Sequence, residues 1–468
     1  MHQKNPANLL KEGDSASFFA GGLALFAFLG FPSLRFCPKF GISDVGEIAN
    51  FPSLRFCPKS GPPRARSNCA VAKKVTAACE SGITIQRHIY SCTARASTCR
   101  DGLAGGLCAV RDGPQEIDKG DEAMEKKDLD WGSLSFAYTK TDYSYVCNWK
   151  DGEWEEGGLT ADHTINISEC AGILHYCQEV FEGLKAYTTE NGDVVCFRPD
   201  MNAKRMADSA RRLIMPEFPE DKFVDAVKEV VKANLAWVPP FGSGAALYIR
   251  PFMFATGDVI GVKPATEYQF RILVTPVGPF FKGGEVSVDL ALPKYDRAAP
   301  HGTGNIKAGL NYAMSLYPLE LAHKQGCADN MYLDSQSRTY VEETGGANIL
   351  FVDKQGNLVV PQSATDSILP SITRRSLVVV AKDILGLSVI ERPVKFEEVL
   401  NGDFEECGLC GTAAVISPVA HVRGENVNVT FPACENGSGP VMRKLRETLT
   451  AIQSCEIEGP EGWVVKIC

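Results

Sequence analysis

His301-Gly-Thr-Gly-Asn-Ile-Lys307-Ala-Gly-Leu-Asn311-Tyr312-Ala313 is the stretch of this chain richest in chemistry-bearing residues. Glycines at 302, 304 and 309 allow backbone to come close to a planar ligand. A single lysine stands at the mouth of 308–324, whose pattern predicts a helix. Such a lysine has two readings. Desolvated, its amine is a nucleophile that forms an imine with an aldehyde. Solvated, it is an ordinary residue of a tight turn. The stretch by itself leaves both open.

Working outward, 143–149 and 267–275 alternate like strands, and 245–254 is a longer, mostly apolar strand candidate. Phe223, Val224, Val227, Val230, Val231 and Leu235 share one helical face, with Asp221 as candidate cap, and Asp200 opens another helix through about 213. The stretch Thr275-Pro-Val-Gly-Pro-Phe-Phe-Lys-Gly-Gly284 breaks the pattern and suits a linker. Beyond it helices and strands alternate over 308–324, 330–334, 348–353, 371–385, 387–392 and 441–453. The expected fold class is α/β, or mixed α+β, in two lobes with a cleft between them. The expected division is a leader over 1–125, a small N-terminal lobe over 126–278, a linker over 279–300 and a large C-terminal lobe over 301–468. A cleft of that kind is a common cofactor site.

Composition excludes several classes. The chain has 468 residues, 44% of them apolar, with a formal charge of -9, so a phosphate-backbone binder is not expected. Seventeen cysteines cannot all pair within one chain, and seven of them fall in the first 110 residues. From Phe51 to Arg100 there are nine Lys or Arg and one acid, Glu80. That reads as a plastid or mitochondrial transit segment, with a disordered basic tail as the alternative and a cytosolic start at Met124 also open. The uncharged run from Ser15 to Leu34 suits a signal-peptide core better than a membrane span, given its glycines and Pro32. No membrane association is expected of the mature protein. Phe31-Pro-Ser-Leu-Arg-Phe-Cys-Pro-Lys39 recurs identically at 51–59, a duplication too short for a solenoid. Cys407-Gly-Leu-Cys410 lacks the second pair that zinc needs, so no metal is expected, and two thiols in or near a buried strand are favoured over a redox pair. Walker, dinucleotide-binding, HExxH and GxSxG motifs are absent.

Further segments run in order: Thr141-Asp-Tyr143; His175-Tyr176 with Phe181-Glu-Gly-Leu-Lys-Ala-Tyr187; Phe197-Arg-Pro199 with Arg205-Met206; Trp237-Val-Pro239; and Leu247-Tyr-Ile-Arg-Pro251. After the lysine come Tyr332-Leu-Asp334, Glu342-Glu343 with Asn348, Ile368-Leu-Pro370 with Thr373-Arg374, and Gly411-Thr-Ala413. With 301–313 they resemble the branched-chain amino acid aminotransferases, fold-type IV pyridoxal-phosphate enzymes, plant-type members among them. The likeness covers about 128 to 467.

The resemblance implies roles. Lys307 would anchor pyridoxal 5′-phosphate and shuttle the proton; Glu343 would pair with the ring nitrogen and Tyr312 with the phenolic oxygen. Arg205, the amides of Ile372 and Thr373, and Thr412 would hold the phosphate. Tyr248, Arg250 and Ala413 would meet substrate, and Tyr176 would reach into the partner subunit's site, which makes a homodimer part of catalysis. The implied reaction moves an amino group between leucine, isoleucine or valine and 2-oxoglutarate by a ping-pong mechanism. The alternatives are a D-amino acid aminotransferase, an aminodeoxychorismate lyase, or a catalytically silent scaffold. Thr344-Gly345-Gly346-Ala347 departs from the family, since Gly346 stands where a hydroxyl is usual. The leader, with the resemblance to plant-type members, points to a plastid.

Overall fold

The structure, a computed structural model, describes residues 125–278 and 286–468. The leader, its apolar run, the duplicated nonapeptide and most of the Pro/Gly linker lie outside the described residues.

Two strands form the centre of the first sheet. Ala246–Ala255 and Tyr268–Val277 pair antiparallel along their whole length. Their long apolar runs are what strands buried on both faces require. Around them the order is Val464–Lys466, Val194–Phe197, Leu184–Thr188, Ala246–Ala255, Tyr268–Val277, Ser144–Lys150 and Glu153–Trp154. Short strands Gly158–Thr160 and Glu179–Phe181 attach at the sides. Helices Pro199–Arg212 and Glu220–Ala233 pack against each other and against this sheet. Phe223, Val227, Val230 and Val231 are buried on one helical stripe, as their spacing predicts. Phe270 receives them, with Phe218 stacked on it at 3.9 Å.

The second sheet runs Asp329–Asn330, Val288–Ala291, Val415–Gly424, Phe404–Gly411, Asn348–Asp353, Leu358–Pro361 and Val389–Arg392, with parallel and antiparallel pairs mixed. Helix Pro440–Gln453 lays Met442, Leu445, Leu449 and Ile452 on it, all fully buried. Its first turn is held by Glu406, which accepts from the amides of Val441 at 3.0 Å and Met442 at 2.8 Å. Among the described residues no helix is long and apolar enough to cross a membrane.

Several elements differ from the sequence reading. Asp221 does not cap its helix: Pro219 is the cap residue, and Asp221 lies in the first turn, where its charge meets the positive end of the helix dipole. Pro199 likewise precedes Asp200 at the start of its helix. The strand expected over 330–334 is only Asp329–Asn330, because Asp334 accepts from the amides of Ser337, Thr339 and Tyr340 and folds the chain into a turn. The helix expected over 371–385 is α-helical over Ile372–Val379 and π-helical over Val380–Ile384. Thr275–Val277 belong to a strand, and Val288–Ala291, inside the stretch read as linker, form a strand of the second sheet. Cys407 and Cys410 are buried in Phe404–Gly411, and burial raises both thiols' pKa, that of Cys410 to about 12. That disfavours a redox role, which needs an exposed thiolate.

Replacing Glu406 leaves two helix amides buried without an acceptor, at a cost of about 1–3 kcal/mol. Glu406→Ala is therefore expected to unfold at lower denaturant concentration than wild type, and an unchanged midpoint would contradict the capping role.

Candidate active site

Loops from both sheets meet at a cleft with about 940 Å³ of empty space counting its open mouth. Lys307 lies on its wall. Its position is fixed by backbone: its amide donates to Ser209 Oγ at 3.0 Å, and its carbonyl accepts from Phe181 N–H at 3.0 Å. Ser209 Oγ in turn donates to the Arg205 carbonyl at 2.8 Å, so one hydroxyl ties the lysine segment to helix Pro199–Arg212. The Lys307 ammonium donates to the Tyr312 hydroxyl at 2.9 Å and sits 4.8 Å from the Phe181 ring centre. Tyr312 reaches it from the first turn of helix Gly309–Lys324.

Glu343 is 3% exposed, and three donors converge on it. Arg297 Nη2 lies 2.7 Å from Oε1, the Leu369 amide donates to Oε1 at 2.8 Å, and Asn348 Nδ2 donates to Oε2 at 2.5 Å. Burial pushes this carboxyl above the ordinary range, while Arg297 and the Leu369 amide pull it back down. Glu342, its neighbour, instead accepts from Ser363 and Ser367.

Arg205 is 6% exposed and grips fully buried Glu182 through two bonds of 2.7 Å. Its remaining nitrogen donates to the Pro370 carbonyl at 3.2 Å. Ile372 also lines the cleft, at the start of the helix whose cap, Ser371, accepts from the Arg374 amide. Thr412 and Ala413 line it from the turn after Phe404–Gly411. That turn is fastened to the other sheet: Thr412 Oγ1 donates to the Gly183 carbonyl at 3.2 Å, and Lys185 Nζ donates to the Ala413 carbonyl at 2.7 Å. Burial pulls the Lys185 ammonium down to about 8. Tyr248 and Arg250 line the cleft together, joined at 2.9 Å, with Arg250 4.8 Å from the Phe181 ring centre.

Lys307, Tyr312, Glu343, Arg205, Ile372, Thr412, Tyr248, Arg250 and Ala413 are thus brought to one wall or another of a single cleft. Thr373 and Tyr176 are not among its lining residues. Thr373 is buried one residue further along its helix, and the Tyr176 hydroxyl donates to the Ile260 carbonyl. The sequence reading gave no role to Arg297, Glu182, Ser209 or Phe136. Phe136 packs edge-on against Tyr248 at 4.9 Å, and no local motif marks it. The glycines also serve differently than expected. A side chain at Gly304 would collide with the Ser367 carbonyl and Arg297, and one at Gly309 with the Glu179 carboxylate, so they make room for protein groups. Gly346, by contrast, lines the cleft with open space where a Cβ would stand.

The donor set matches a phosphate-bearing aldehyde with a basic ring nitrogen. An amine with a phenol beside it, a buried carboxylate fixed by an arginine, and an arginine next to a helix N-terminus answer its three functional groups. Arg250 Nε and Asn348 Oδ1, buried atoms of cleft-lining residues, have no hydrogen-bond partner among the described residues. Among the described residues no group of three or more His, Cys, Asp or Glu side chains is disposed to hold a metal.

Residues 179–422 match the model of the amino-transferase class IV family, and the chain belongs to that family. It is similar to the branched-chain-amino-acid aminotransferase of Haemophilus influenzae, at 49% identity over 73% of this chain and 99% of that one. The branched-chain-amino-acid aminotransferase 2, chloroplastic, of Arabidopsis thaliana is 41% identical over 73% of this chain and 86% of the relative. The crystal structure of the branched-chain amino acid aminotransferase from Thermobaculum terrenum, in its PLP form, superposes with a TM-score of 0.58 at 25% identity, covering 70% of this chain and 99% of that one.

Removing Glu182 would leave the Arg205 guanidinium out of water without its carboxylate, a loss of about 3–5 kcal/mol for a buried pair. Glu182→Ala is expected to melt well below wild type. Equal melting temperatures would show that the pair is not needed.

Proposed function

We propose that the protein is a pyridoxal-phosphate-dependent branched-chain amino acid aminotransferase, exchanging the amino group of leucine, isoleucine or valine with 2-oxoglutarate by a ping-pong mechanism. The observation that carries this reading is the Lys307–Tyr312 pair at 2.9 Å, in a cleft shared with the Glu343–Arg297 pair, within a chain of this family. Pyridoxal 5′-phosphate, when bound, supplies the aldehyde that joins an amine and the electron sink that stabilises a carbanion.

The protein's own residues do the rest. Lys307 Nζ would hold the cofactor and would carry a proton to and from the substrate's α-carbon. Tyr312, hydrogen-bonded to that amine, orients it and meets the phenolic oxygen. Glu343 holds a proton on the ring nitrogen; Arg297, the Leu369 amide and Asn348 keep its carboxylate in place. Arg205, Thr412 and the amides of Ile372 and Thr373 bind the phosphate, those two amides being ones a helix leaves without internal acceptors. Tyr248, Arg250 and the Ala413 amide meet the substrate carboxylates, and Phe136 and Phe181 supply apolar wall. The open space at Gly346 leaves that part of the wall without the usual hydroxyl.

Lys307→Ala should lose both the visible absorbance of bound cofactor and transamination of L-leucine. Full activity in that variant would sink the assignment, and preference for D-alanine or aminodeoxychorismate over L-leucine would move it within the family.

A homodimer completes the reading. Tyr176 stands outside its own chain's cleft, and beside it the apolar side chains of Leu174, Ile260 and Val262 are 58%, 73% and 90% exposed. Burying such a patch against a second copy is favourable at roughly 25 cal/mol per Å². The double variant Ile260→Glu, Val262→Glu should sediment as a monomer with little activity, whereas an active monomer would refute the shared site. The transit-like leader and the chloroplastic relatives support a plastid as the place of work.

A further inference from the structure

Beside the lysine runs the strand Glu179–Phe181, and it is attached there at three successive residues. Phe181 N–H donates to the Lys307 carbonyl at 3.0 Å, Val180 bridges Ala308 in antiparallel register, and the Glu179 carboxylate accepts from the Gly309 amide at 2.9 Å. That amide is the first of helix Gly309–Lys324, which has no side-chain cap at Ala308 and no acid in its first turn. Glu179 therefore provides from a distant part of the chain the negative charge that a helix start favours. Room for it exists only because residue 309 is glycine, since a Cβ there would collide with the carboxylate.

Charge points the same way. Lys307 and Arg250 each lie 4.8 Å from the Phe181 ring centre, so two cations flank one apolar ring. The other cleft arginines have direct partners, Arg205 in Glu182 and Arg297 in Glu343. Lys307 and Arg250 have no ion-pair contact among the described residues; burial raises the Glu179 carboxyl above the ordinary range, and the Gly309 amide, Arg250 and Lys307 pull it back toward the anion.

Resting on the transaminase reading, we propose that Glu179 is a positioning residue for Lys307. Its carboxylate pins the backbone at Gly309, while Phe181 two residues along the same strand holds the Lys307 carbonyl, so that the lysine side chain swings from a fixed base. It also supplies the anion that stabilises the protonated nitrogen at Lys307. The Tyr312 hydroxyl accepts from that nitrogen, and Arg250, Arg205 with Glu182, and Arg297 with Glu343 stand at the same cleft; of these charged groups and Glu179, Arg250 and Glu179 have no ion-pair contact among the described residues.

The test uses the cofactor-loaded full chain. Glu179→Gln keeps an acceptor for the Gly309 amide and removes the charge. It should retain wild-type cofactor content, while the pH midpoint of the visible band falls by about half a unit or more, the sign expected when an anion near a cation is lost. Glu179→Ala also removes the acceptor and should lower kcat roughly tenfold or more with little change in KM, as misplacement of a reacting group does. A Glu179→Gln midpoint equal to wild type overturns the proposal, and this holds even where Glu179→Ala fails to fold. Wild-type protein without a visible band would overturn the transaminase reading and this role with it; a normal wild-type band with an unmoved midpoint overturns the role alone.

Discussion

Arg297 and Glu343 meet at 2.7 Å, both almost entirely out of water, and the rest of the cleft is arranged around that contact. A buried carboxylate without a cation would take up a proton and cease to be an anion. Arg297 is held in turn by the carbonyls of Gly304 and Ser367, so the loop before Lys307 and the loop before helix Ile372–Val379 are locked to the same guanidinium. Losing the arginine would release the carboxylate and both loops together. The same logic repeats with Arg205 and Glu182, where a second buried pair places an arginine beside the helix that offers its free amides. In these two pairs charge is retained in the interior because each guanidinium has a fixed carboxylate partner.

The two sheets divide the labour. The first presents Phe181, Tyr248 and Arg250 from strands and Arg205 from the helix that covers them; the second presents Glu343, Ile372 and the Thr412–Ala413 turn from its loops. Bonds from Lys185 and Thr412 cross between them at the turn. A site assembled this way has precision from strands and helices and shape from loops, a common distribution for binding surfaces.

Much of this was legible in the chain. Strands 246–255 and 268–277 and helix 220–233 show their periodicity because each buries a continuous apolar surface, and the ordered segments around Lys307 carried the family. The lost features share a cause: they are set by residues far away in sequence. Arg297 sits in a stretch that reads as linker, and only its pairing with Glu343 gives it meaning. Gly304 and Gly309 look like concessions to a ligand until the Ser367 carbonyl and the Glu179 carboxylate are found against them. Asp334 reads as a strand residue, since nothing local says that its side chain will gather three amides and turn the chain. Tyr176 was placed by resemblance alone, and its own chain shows only that it lies apart from the cleft.

The strand Val464–Lys466 pairs with Val194–Phe197, so the first sheet is finished by a segment synthesised long after its neighbours. On the ribosome, the nascent chain must carry Val194–Phe197 as an unpaired edge through translation of the entire second sheet. Open edges of that kind recruit foreign strands, and incomplete folds of large chains are the ones chaperones attend. Synthesis order therefore leaves this edge of the first-made lobe unsealed until Val464–Lys466 has been made.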